Sequence, residues 1–309
     1  MVGEIAMPSF VELISPPRFR ERVIELSQSD PAVTVLSYLL DPERLLQWAH
    51  SVAVVNDATL EACVSPIPPL ELRRITAAPD AEGFLWTGLA DLARFFEIYE
   101  RLGSKPPGRK RRILDFGCGC GRMTRYLNII DDVEAYGLDV NPDLVGWCQE
   151  NLNRVRTVLT SERPPMPLPD ELFDLVYSLS IFTHLTEERS RQWLGDIARV
   201  MVPGGVLIVS THGYPALEII RGSSVHQGMF EMDERATGEL IARLERERFV
   251  FIPYRSEVLE VAKAGADYGL SFIDDQYVSS HWNTSEFQVL EHIPGGLRGW
   301  QDLVVLRRT

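Results

Sequence analysis

The chain of 309 residues has few cysteines, no excess of basic residues and no long apolar run. The four cysteines are Cys63, Cys118, Cys120 and Cys148. Their single Cys-X-Cys pair fits neither a disulfide framework nor a zinc site with two ligand pairs. No stretch approaches the ~18 to 20 apolar residues of a membrane span, and the first residues lack the features of a secretion signal. The sequence therefore predicts reduced thiols, a cytoplasmic location and no membrane partner.

The charge balance bears on possible partners. The chain has 44 Asp and Glu residues against 31 Lys and Arg residues, a formal net charge of -13. This charge repels a phosphate backbone, so a nucleic-acid partner would need a local basic patch. The best candidate run, residues 109–113, directly precedes a predicted strand and is more typical of a solvated strand entrance. No nucleic-acid partner is expected.

The length is sufficient for one full-sized core and an added subdomain. Residues 1–105 predict a helical N-terminal extension, with apolar stripes in residues 18–26, 36–48 and 89–102 and a proline-rich turn at 65–69. Residues 106–309 predict the main domain.

Short apolar runs alternate with helical patterns from residue 112 onward, which is typical of parallel strands joined by crossover helices. We expect strands at residues 113–116, 134–139, 157–159, 173–177 and 206–210. A helix should follow Thr186, a suitable N-cap before two glutamates.

The C-terminal part departs from this alternation. Residues 287–292 and 302–306 predict two final strands, with a hairpin turn at Gly295 and Gly296. The long interval of about 213–285 holds a charged helix, residues 232–248, and several aromatic residues. We interpret this interval as an inserted cap.

The strongest local signal is the run from residue 113 to 122, Ile-Leu-Asp-Phe-Gly-Cys-Gly-Cys-Gly-Arg. Gly117, Gly119 and Gly121 allow a tight turn that a ligand can approach closely, and the following helix start offers free N–H groups. Such a turn can be purely structural or can bind a dinucleotide. The dinucleotide spacing G-x-G-x-x-G is not met, however, which disfavours a nicotinamide cofactor.

Two carboxylates accompany this turn. Asp139 ends the second predicted strand and can accept hydrogen bonds from the ribose hydroxyls of an adenosine group. It could instead cap the next helix, although Asn141 is the better cap. Asp115 ends the first strand and could also bond to backbone N–H groups of the turn.

These residues resemble the class I S-adenosylmethionine (SAM)-dependent methyltransferases, whose first motif is an acidic residue followed by glycines at alternate positions. The resemblance continues through Asp139, Phe-Asp-Leu-Val-Tyr-Ser at 173–178 and Arg-Val-Met-Val-Pro-Gly-Gly at 199–205, and covers residues 84–309. Ser-Ile-Phe-Thr-His-Leu at 180–185 and Gln-Asp-Leu-Val-Val-Leu at 301–306 make it most similar to small-molecule methyltransferases.

The resemblance implies an α/β, Rossmann-like, doubly wound fold. Its sheet would have seven mostly parallel strands and an antiparallel C-terminal strand. It also implies SAM as cofactor. The expected cofactor contacts are Asp115, Gly117, Cys118, Gly119, Gly121, Asp139, Val140, Thr160, Ser161, Ser178, Leu179 and Ser180. Many relatives have an acidic residue after the third strand that meets the adenine amino group, and this chain has Thr160 and Ser161 there.

Missing motifs narrow the chemistry. An Asp/Asn-Pro-Pro-Tyr/Phe phrase is absent after the fourth strand, and no cysteine follows a proline, so methylation of adenine or cytosine bases is disfavoured. The oxygen ligands of metal-dependent catechol methyltransferases are also absent, because Ser178 and residues 211–213 stand at those positions. We expect no catalytic metal.

The remaining chemistry is direct in-line methyl transfer, in which positioning supplies much of the acceleration. His184 and His212, each just beyond a strand end, are candidate bases, and a structural role bonded to a neighbouring loop is as plausible for either. The candidate acceptor contacts are Trp86, Tyr254, Tyr268 and Phe272.

The sequence thus favours a methyltransferase that modifies an oxygen, nitrogen or carbon of a small metabolite, such as a sugar or a natural-product intermediate. A SAM-binding scaffold without turnover and, less favoured, a nicotinamide-dependent oxidoreductase are the alternatives. The acceptor and the oligomeric state are left open.

Overall fold

The computed structural model describes residues 66–76, 78, 81–103, 105–130, 132–255, 265 and 267–309. The predicted helical stripes of residues 18–26 and 36–48 lie outside the described residues. Among the helices of the described part, none is long and apolar enough to cross a membrane.

A seven-stranded sheet forms the centre of the molecule. Its strands are β1 (Arg111–Phe116), β2 (Val133–Asp139), β3 (Val155–Leu159), β4 (Phe173–Ser178), β5 (Met201–Thr211), β8 (Phe287–Leu297) and β9 (Gln301–Arg308). Their order is β3-β2-β1-β4-β5-β9-β8. Strands β1 to β5 pair in parallel, and β9 is antiparallel to both β5 and β8. The predicted α/β fold, with a mostly parallel sheet and an antiparallel C-terminal strand, is confirmed.

Helices cover both faces of this sheet because its central strands are apolar on both sides. The helices are α1 (Leu70–Ile75), α2 (Ala81–Leu102), α3 (Pro142–Asn151), α4 (Glu187–Val200), α5 (Tyr214–Gly222), α6 (Ser224–Phe230), α7 (Glu234–Glu247) and α8 (Asp275–His281). Buried residues of α2 and α3 form one core with the sheet, and those of α4 and α8 form a second core. β4 is buried at every position, which explains its continuous apolar run.

The helix starts follow the predicted capping residues. The Asn141 side chain accepts hydrogen bonds from the backbone N–H groups of Asp143 and Leu144 at the start of α3. Thr186 accepts one from the backbone N–H of Arg189 at the start of α4. Both caps point the positive end of a helix toward the carboxyl ends of the parallel strands.

The predicted C-terminal hairpin is confirmed, but its predicted turn is wrong. Gly295 and Gly296 lie within β8, and the chain turns at residues 298–300. The N–H of Gly295 donates to Asp302 Oδ1 at 2.8 Å, which holds this glycine against β9. The pairing register shifts between Ile293 and Leu297, the part of β8 that contains both glycines.

Residues 213–285 contain helices α5 to α8 and a separate antiparallel pair, β6 (Phe249–Pro253) and β7 (Gly269–Ile273). The N–H of Gly269 donates to the carbonyl of His184 at 3.0 Å, and that of Ser271 donates to the carbonyl of Thr183 at 2.8 Å. β7 therefore runs beside the chain that leaves β4, at the edge of the sheet where the predicted ligand crevice lies.

Candidate active site

A cavity of about 320 Å³ opens at the carboxyl ends of β1, β2 and β4. This is the edge where ligands bind in open α/β sheets. The predicted site residues that line it are Asp115, Gly117, Cys118, Gly119, Asp139, Val140, Thr160, Leu179, Ser180, His184 and Tyr268. The fold thus brings together most of the predicted cofactor contacts, one candidate base and one candidate acceptor contact.

The backbone of residues 117–119 forms a turn, here called the glycine cradle, that has no room for a side chain at either of its glycines. Gly117 has φ +84°, and a Cβ there would lie 2.3 Å from Ile181 Cδ1. Gly119 has φ +55°, and a Cβ there would lie 2.6 Å from Thr76 Cγ2. Both positions combine a left-handed backbone with a close neighbour, so only glycine fits without strain.

Asp139 stabilises this turn through a hydrogen bond to its backbone. Its Oδ2 accepts a hydrogen bond from Gly119 N at 2.8 Å, and its Oδ1 accepts one from Asn141 N at 2.9 Å. Asp115 instead accepts a hydrogen bond from Thr124 Oγ1 at 2.5 Å. The expectation that Asp115 could accept hydrogen bonds from backbone N–H groups of the turn is therefore wrong, because Asp139, at the end of β2, accepts the one from Gly119.

Burial raises the pKa values of both carboxyl groups. The pKa of Asp115 rises to about 7, chiefly through desolvation, although the hydrogen bond from Thr124, the nearby Tyr177 hydroxyl and the charge of Arg122 oppose the shift. Desolvation also raises the pKa of Asp139, against its backbone hydrogen bonds. A cationic ligand in the cavity would stabilise the charged forms of both groups.

His184 presents a neutral imidazole to the cavity. Its Nδ1 lies 2.9 Å from the carbonyl oxygen of Gly269, and because that oxygen can only accept, Nδ1 carries the proton and Nε2 the lone pair. The Tyr254 hydroxyl lies 3.0 Å from the same Nδ1, and the Tyr268 ring centre is 5.0 Å from that of His184. Burial lowers the pKa of His184 to about 4, so the ring is neutral at pH 7.

His212 lies outside the cavity lining, in an aromatic cluster. Its ring centre is 5.4 Å from that of Phe272, 5.6 Å from that of Trp300 and 6.3 Å from that of Phe230. Its buried Nδ1 has no hydrogen-bond partner among the described residues, and burial lowers its pKa to about 3. Phe272 is fully buried in the same cluster. The structure therefore brings only one of the two predicted bases to the cavity, and it places Phe272 in the core.

Two other predicted cofactor contacts take structural positions. Gly121 has φ +77°, and a Cβ there would lie 2.4 Å from Leu152 Cδ1, so this glycine allows α3 to pack against the turn. Ser178 is fully buried and donates to the carbonyl oxygen of Phe116 at 3.0 Å. Gly121 stabilises the turn by allowing close packing and Ser178 by its hydrogen bond, and neither residue lines the cavity.

Two predicted contacts do not line the cavity, and the side chain of a third is not described. Ser161 is exposed, and its hydroxyl donates to the carbonyl oxygen of Arg163. Tyr254 does not line the cavity itself, but it contacts His184 and Tyr268, which do. The side chain of Trp86 lies outside the described residues, so its predicted contact with the acceptor stays a prediction.

Glu162 is a cavity residue that the sequence analysis missed. It lines the cavity together with Thr160, whose buried hydroxyl has no hydrogen-bond partner among the described residues. An acidic residue is therefore present at the cavity three residues beyond Leu159, where β3 ends. Allowing for a longer turn after the strand would have found it.

An ion pair between distant segments was also missed. Arg189 of α4 donates from Nε to Asp267 Oδ2 at 2.6 Å, and both residues line the cavity. The pair fixes the segment that carries Tyr268 beside the cavity. No local sequence signal could have shown this contact, because α4 and β7 are far apart along the chain.

The chain is similar in sequence to known methyltransferases over the part that forms most of the cavity. A family model described as a methyltransferase domain matches residues 114–209, which run from β1 into β5. A "probable S-adenosylmethionine-dependent methyltransferase" of Mycolicibacterium smegmatis is 32% identical over 130 residues, 40% of this chain and 48% of that protein.

Other relatives differ in acceptor. Ajmaline N-methyltransferase of Rauvolfia serpentina is 25% identical over 143 residues, 44% of this chain and 48% of that protein. A tRNA (carboxymethyluridine(34)-5-O)-methyltransferase of Arabidopsis thaliana is 26% identical over 161 residues, 52% of this chain and 37% of that protein. In each case the alignment spans less than two thirds of the relative. Residues 114–209 are therefore a methyltransferase domain of the Rossmann-like class I family, whose cofactor is S-adenosylmethionine.

Proposed function

We propose that the whole chain is a metal-independent methyltransferase that modifies an oxygen, nitrogen or carbon nucleophile of a small metabolite, such as a sugar or a natural-product intermediate. One observation carries the proposal. The cavity that holds the glycine cradle and both carboxylates is also lined by a neutral histidine and a tyrosine. A cofactor site and an acceptor site can therefore share one space.

The residues present fit SAM. Asp139 can accept hydrogen bonds from the ribose hydroxyls, and the glycine cradle with Asp115 can hold the amino acid part. Beyond β3, the carboxylate of Glu162 suits the adenine amino group, and the Thr160 hydroxyl, which has no hydrogen-bond partner among the described residues, offers a second acceptor. The two buried carboxylates also complement the positive charge of the ligand.

The proposed mechanism relies on positioning. Bound SAM supplies an electrophilic methyl group on a sulfonium. His184, neutral and with its Nε2 lone pair available, accepts the proton of a poorly acidic acceptor. The ring of Tyr268 forms an apolar wall that helps to exclude water and orient the acceptor. Removal of the acceptor proton is thereby coupled to in-line attack, and no metal is required.

Charge supports a small acceptor over a nucleic acid. The cavity is lined by four carboxylates, those of Asp115, Asp139, Glu162 and Asp267, against two guanidinium groups, those of Arg122 and Arg189. This excess of acidic groups disfavours phosphate. The basic run at residues 109–112 overlaps the start of β1 and is largely neutralised. Its three arginines form ion pairs with carboxylates: Arg109 with Asp174, Arg111 with Glu100 and Asp132, and Arg112 with Glu134.

A direct test is the formation of S-adenosylhomocysteine (SAH) from SAM, with a panel of small acceptors in one arm and bulk tRNA in the other. We expect product only with small acceptors. Turnover with tRNA alone would replace the small-molecule proposal. SAM binding with no product in either arm would favour the alternative of a SAM-binding scaffold. Tighter binding of NAD than of SAM would favour an oxidoreductase.

Activity is expected to survive metal removal. The described part of the chain brings together no three His, Cys, Asp or Glu side chains that could hold a metal ion. After dialysis against EDTA, turnover should stay within about twofold of the untreated rate. A loss that added magnesium restores would show that the reaction depends on a metal ion.

SAM affinity should rise with pH. Asp115, with a pKa of about 7, is half protonated at neutral pH in the free protein, and the cationic ligand favours its ionised form. Binding therefore releases a proton, and the affinity should be roughly tenfold weaker at pH 6 than at pH 8. Calorimetric titrations across this range check the slope. The Asp115→Asn variant should lack it, and an equal slope in both proteins would assign the titration to another group.

A further inference from the structure

Ser180 has a strained backbone at the wall of the cavity. Its φ of +57° lies in the left-handed region, which a residue with a side chain rarely adopts. Among the non-glycine residues with positive φ in the described part of the chain, only Ser180 lines the cavity. Such strain persists where surrounding contacts hold it, and it is common at functional sites. We therefore asked what holds this residue and what its conformation positions.

Two neighbouring strands hold Ser180 through hydrogen bonds. Its backbone N–H donates to Ser210 Oγ of β5 at 2.8 Å. The side-chain amide of Gln301, the first residue of β9, faces Ser180 Oγ, with Nε2 at 2.8 Å and Oε1 at 3.2 Å. Ser210 and Gln301 are both buried, so water competes little for these bonds. The C-terminal hairpin thereby anchors the loop that follows β4.

The turn at Ser180 determines where the next residues lie. Ile181 packs directly on the glycine cradle, since a Cβ at Gly117 would lie 2.3 Å from Ile181 Cδ1. The N–H of His184 then donates to the carbonyl of Ile181 at 2.9 Å, which forms a second turn. Ser180, Ile181 and His184 all line the cavity. A change in the backbone at Ser180 would therefore shift this wall relative to the cradle.

A serine at this position needs an anchor that a glycine would not need. Glycine adopts a positive φ without strain, because it has no Cβ. The serine side chain causes the strain, but its hydroxyl is also the group that Gln301 binds. Removal of the Gln301 amide would leave the strain without this support. The two residues are 121 positions apart, so no local sequence pattern indicates the contact.

We propose that Gln301 is a positioning residue for cofactor binding. By holding Ser180 in its left-handed conformation, it keeps Ile181 against the glycine cradle, where the amino acid part of SAM is expected. Without Gln301, relaxed conformations of the loop compete with the one that binds the cofactor, and the apparent affinity falls with the fraction that stays competent. This role goes beyond the proposed function, because it depends on the cofactor and not on the acceptor.

The test compares variants by calorimetric titration with SAH. Gln301→Ala and Ser180→Ala each remove the anchor and keep the strain, so both should bind SAH about five- to tenfold more weakly than the wild-type protein. Ser180→Gly also removes the anchor but relieves the strain, and it should bind SAH at least about threefold more tightly than Ser180→Ala. In the Ser180→Gly background, Gln301→Ala should change the affinity by less than about twofold.

Glu231 provides the matched control. Its φ is +52°, and it ends α6 outside the cavity lining. Glu231→Gly and Glu231→Ala should both bind SAH as the wild-type protein does, although Glu231→Gly should unfold at the higher temperature of the two. Equal SAH affinities in this pair would show that relief of backbone strain alone does not alter cofactor binding.

SAH binding by Ser180→Gly that is no tighter than that by Ser180→Ala would overturn the proposal, even if Gln301→Ala did not fold. Wild-type SAH affinity in a folded Gln301→Ala protein would overturn it as well. Either result, with normal SAH binding by the wild-type protein, leaves the proposed function standing. Failure of the wild-type protein to bind SAH would instead overturn both.

Discussion

Replacement of Asp139 by alanine is expected to weaken SAM binding at least about tenfold. The variant would lack the hydrogen bonds between this carboxylate and the ribose hydroxyls. Hydrogen bonds to a charged group contribute about 1.5 to 3 kcal/mol to the free energy of binding. The same side chain accepts the N–H groups of Gly119 and Asn141, so its removal also loosens the cradle. Calorimetric titration with SAM gives the affinity.

The stability of this variant is a separate readout. Leaving two N–H groups without their acceptor should lower the free energy of unfolding by about 1 to 3 kcal/mol, and thermal unfolding without ligand measures it. Asp139→Asn, which keeps one acceptor oxygen, is the matched control and should lose less of both quantities. Unchanged SAM affinity in a folded Asp139→Ala protein would remove this residue from the cofactor site.

Replacement of His184 by glutamine should lower kcat by about 10²-fold or more with a poorly acidic acceptor, because a positioned base contributes roughly 10²- to 10⁴-fold. SAM affinity should change little. The low pKa of His184, about 4, also determines the pH dependence of kcat. The ring stays neutral and able to accept a proton until the pH approaches that value. Between pH 8 and pH 5, kcat should not fall through this group.

The exposed His281 of α8 provides a control, and His281→Gln should keep the wild-type kcat. A His184→Gln protein with full kcat would show that the acceptor is acidic enough to react without a base. A decline in wild-type kcat centred near pH 6.5 that the His184→Gln variant lacks would show that this histidine has an ordinary pKa in the complex.

The parts of the site that follow from local pattern could be predicted from the sequence. The apolar runs of β1 and β2 locate Asp115 and Asp139 at strand ends, and a parallel sheet brings such ends to one edge. The alternate glycines predict a tight turn, and Gly117 and Gly119 have the positive φ angles that such a turn requires.

The parts that depend on tertiary contact could not be predicted. His184 and His212 both follow a strand end, and only the packing of Phe272 and Trp300 determines that His212 is buried away from the cavity. The contact between Asp91 and Arg298 joins segments that are far apart along the chain. Hydrophobic spacing contains no information about such pairs, because it reports which face is buried and not which residue lies opposite.

A crystal structure of the protein with SAH bound is the most direct test of the central claim. The account predicts that the ribose hydroxyls lie within hydrogen-bond distance of Asp139 and that the amino acid part lies against Gly117 and Gly119. The sulfur should face the part of the cavity lined by Ser180 and His184. Binding of SAH outside this cavity, or with its ribose away from Asp139, would contradict the account.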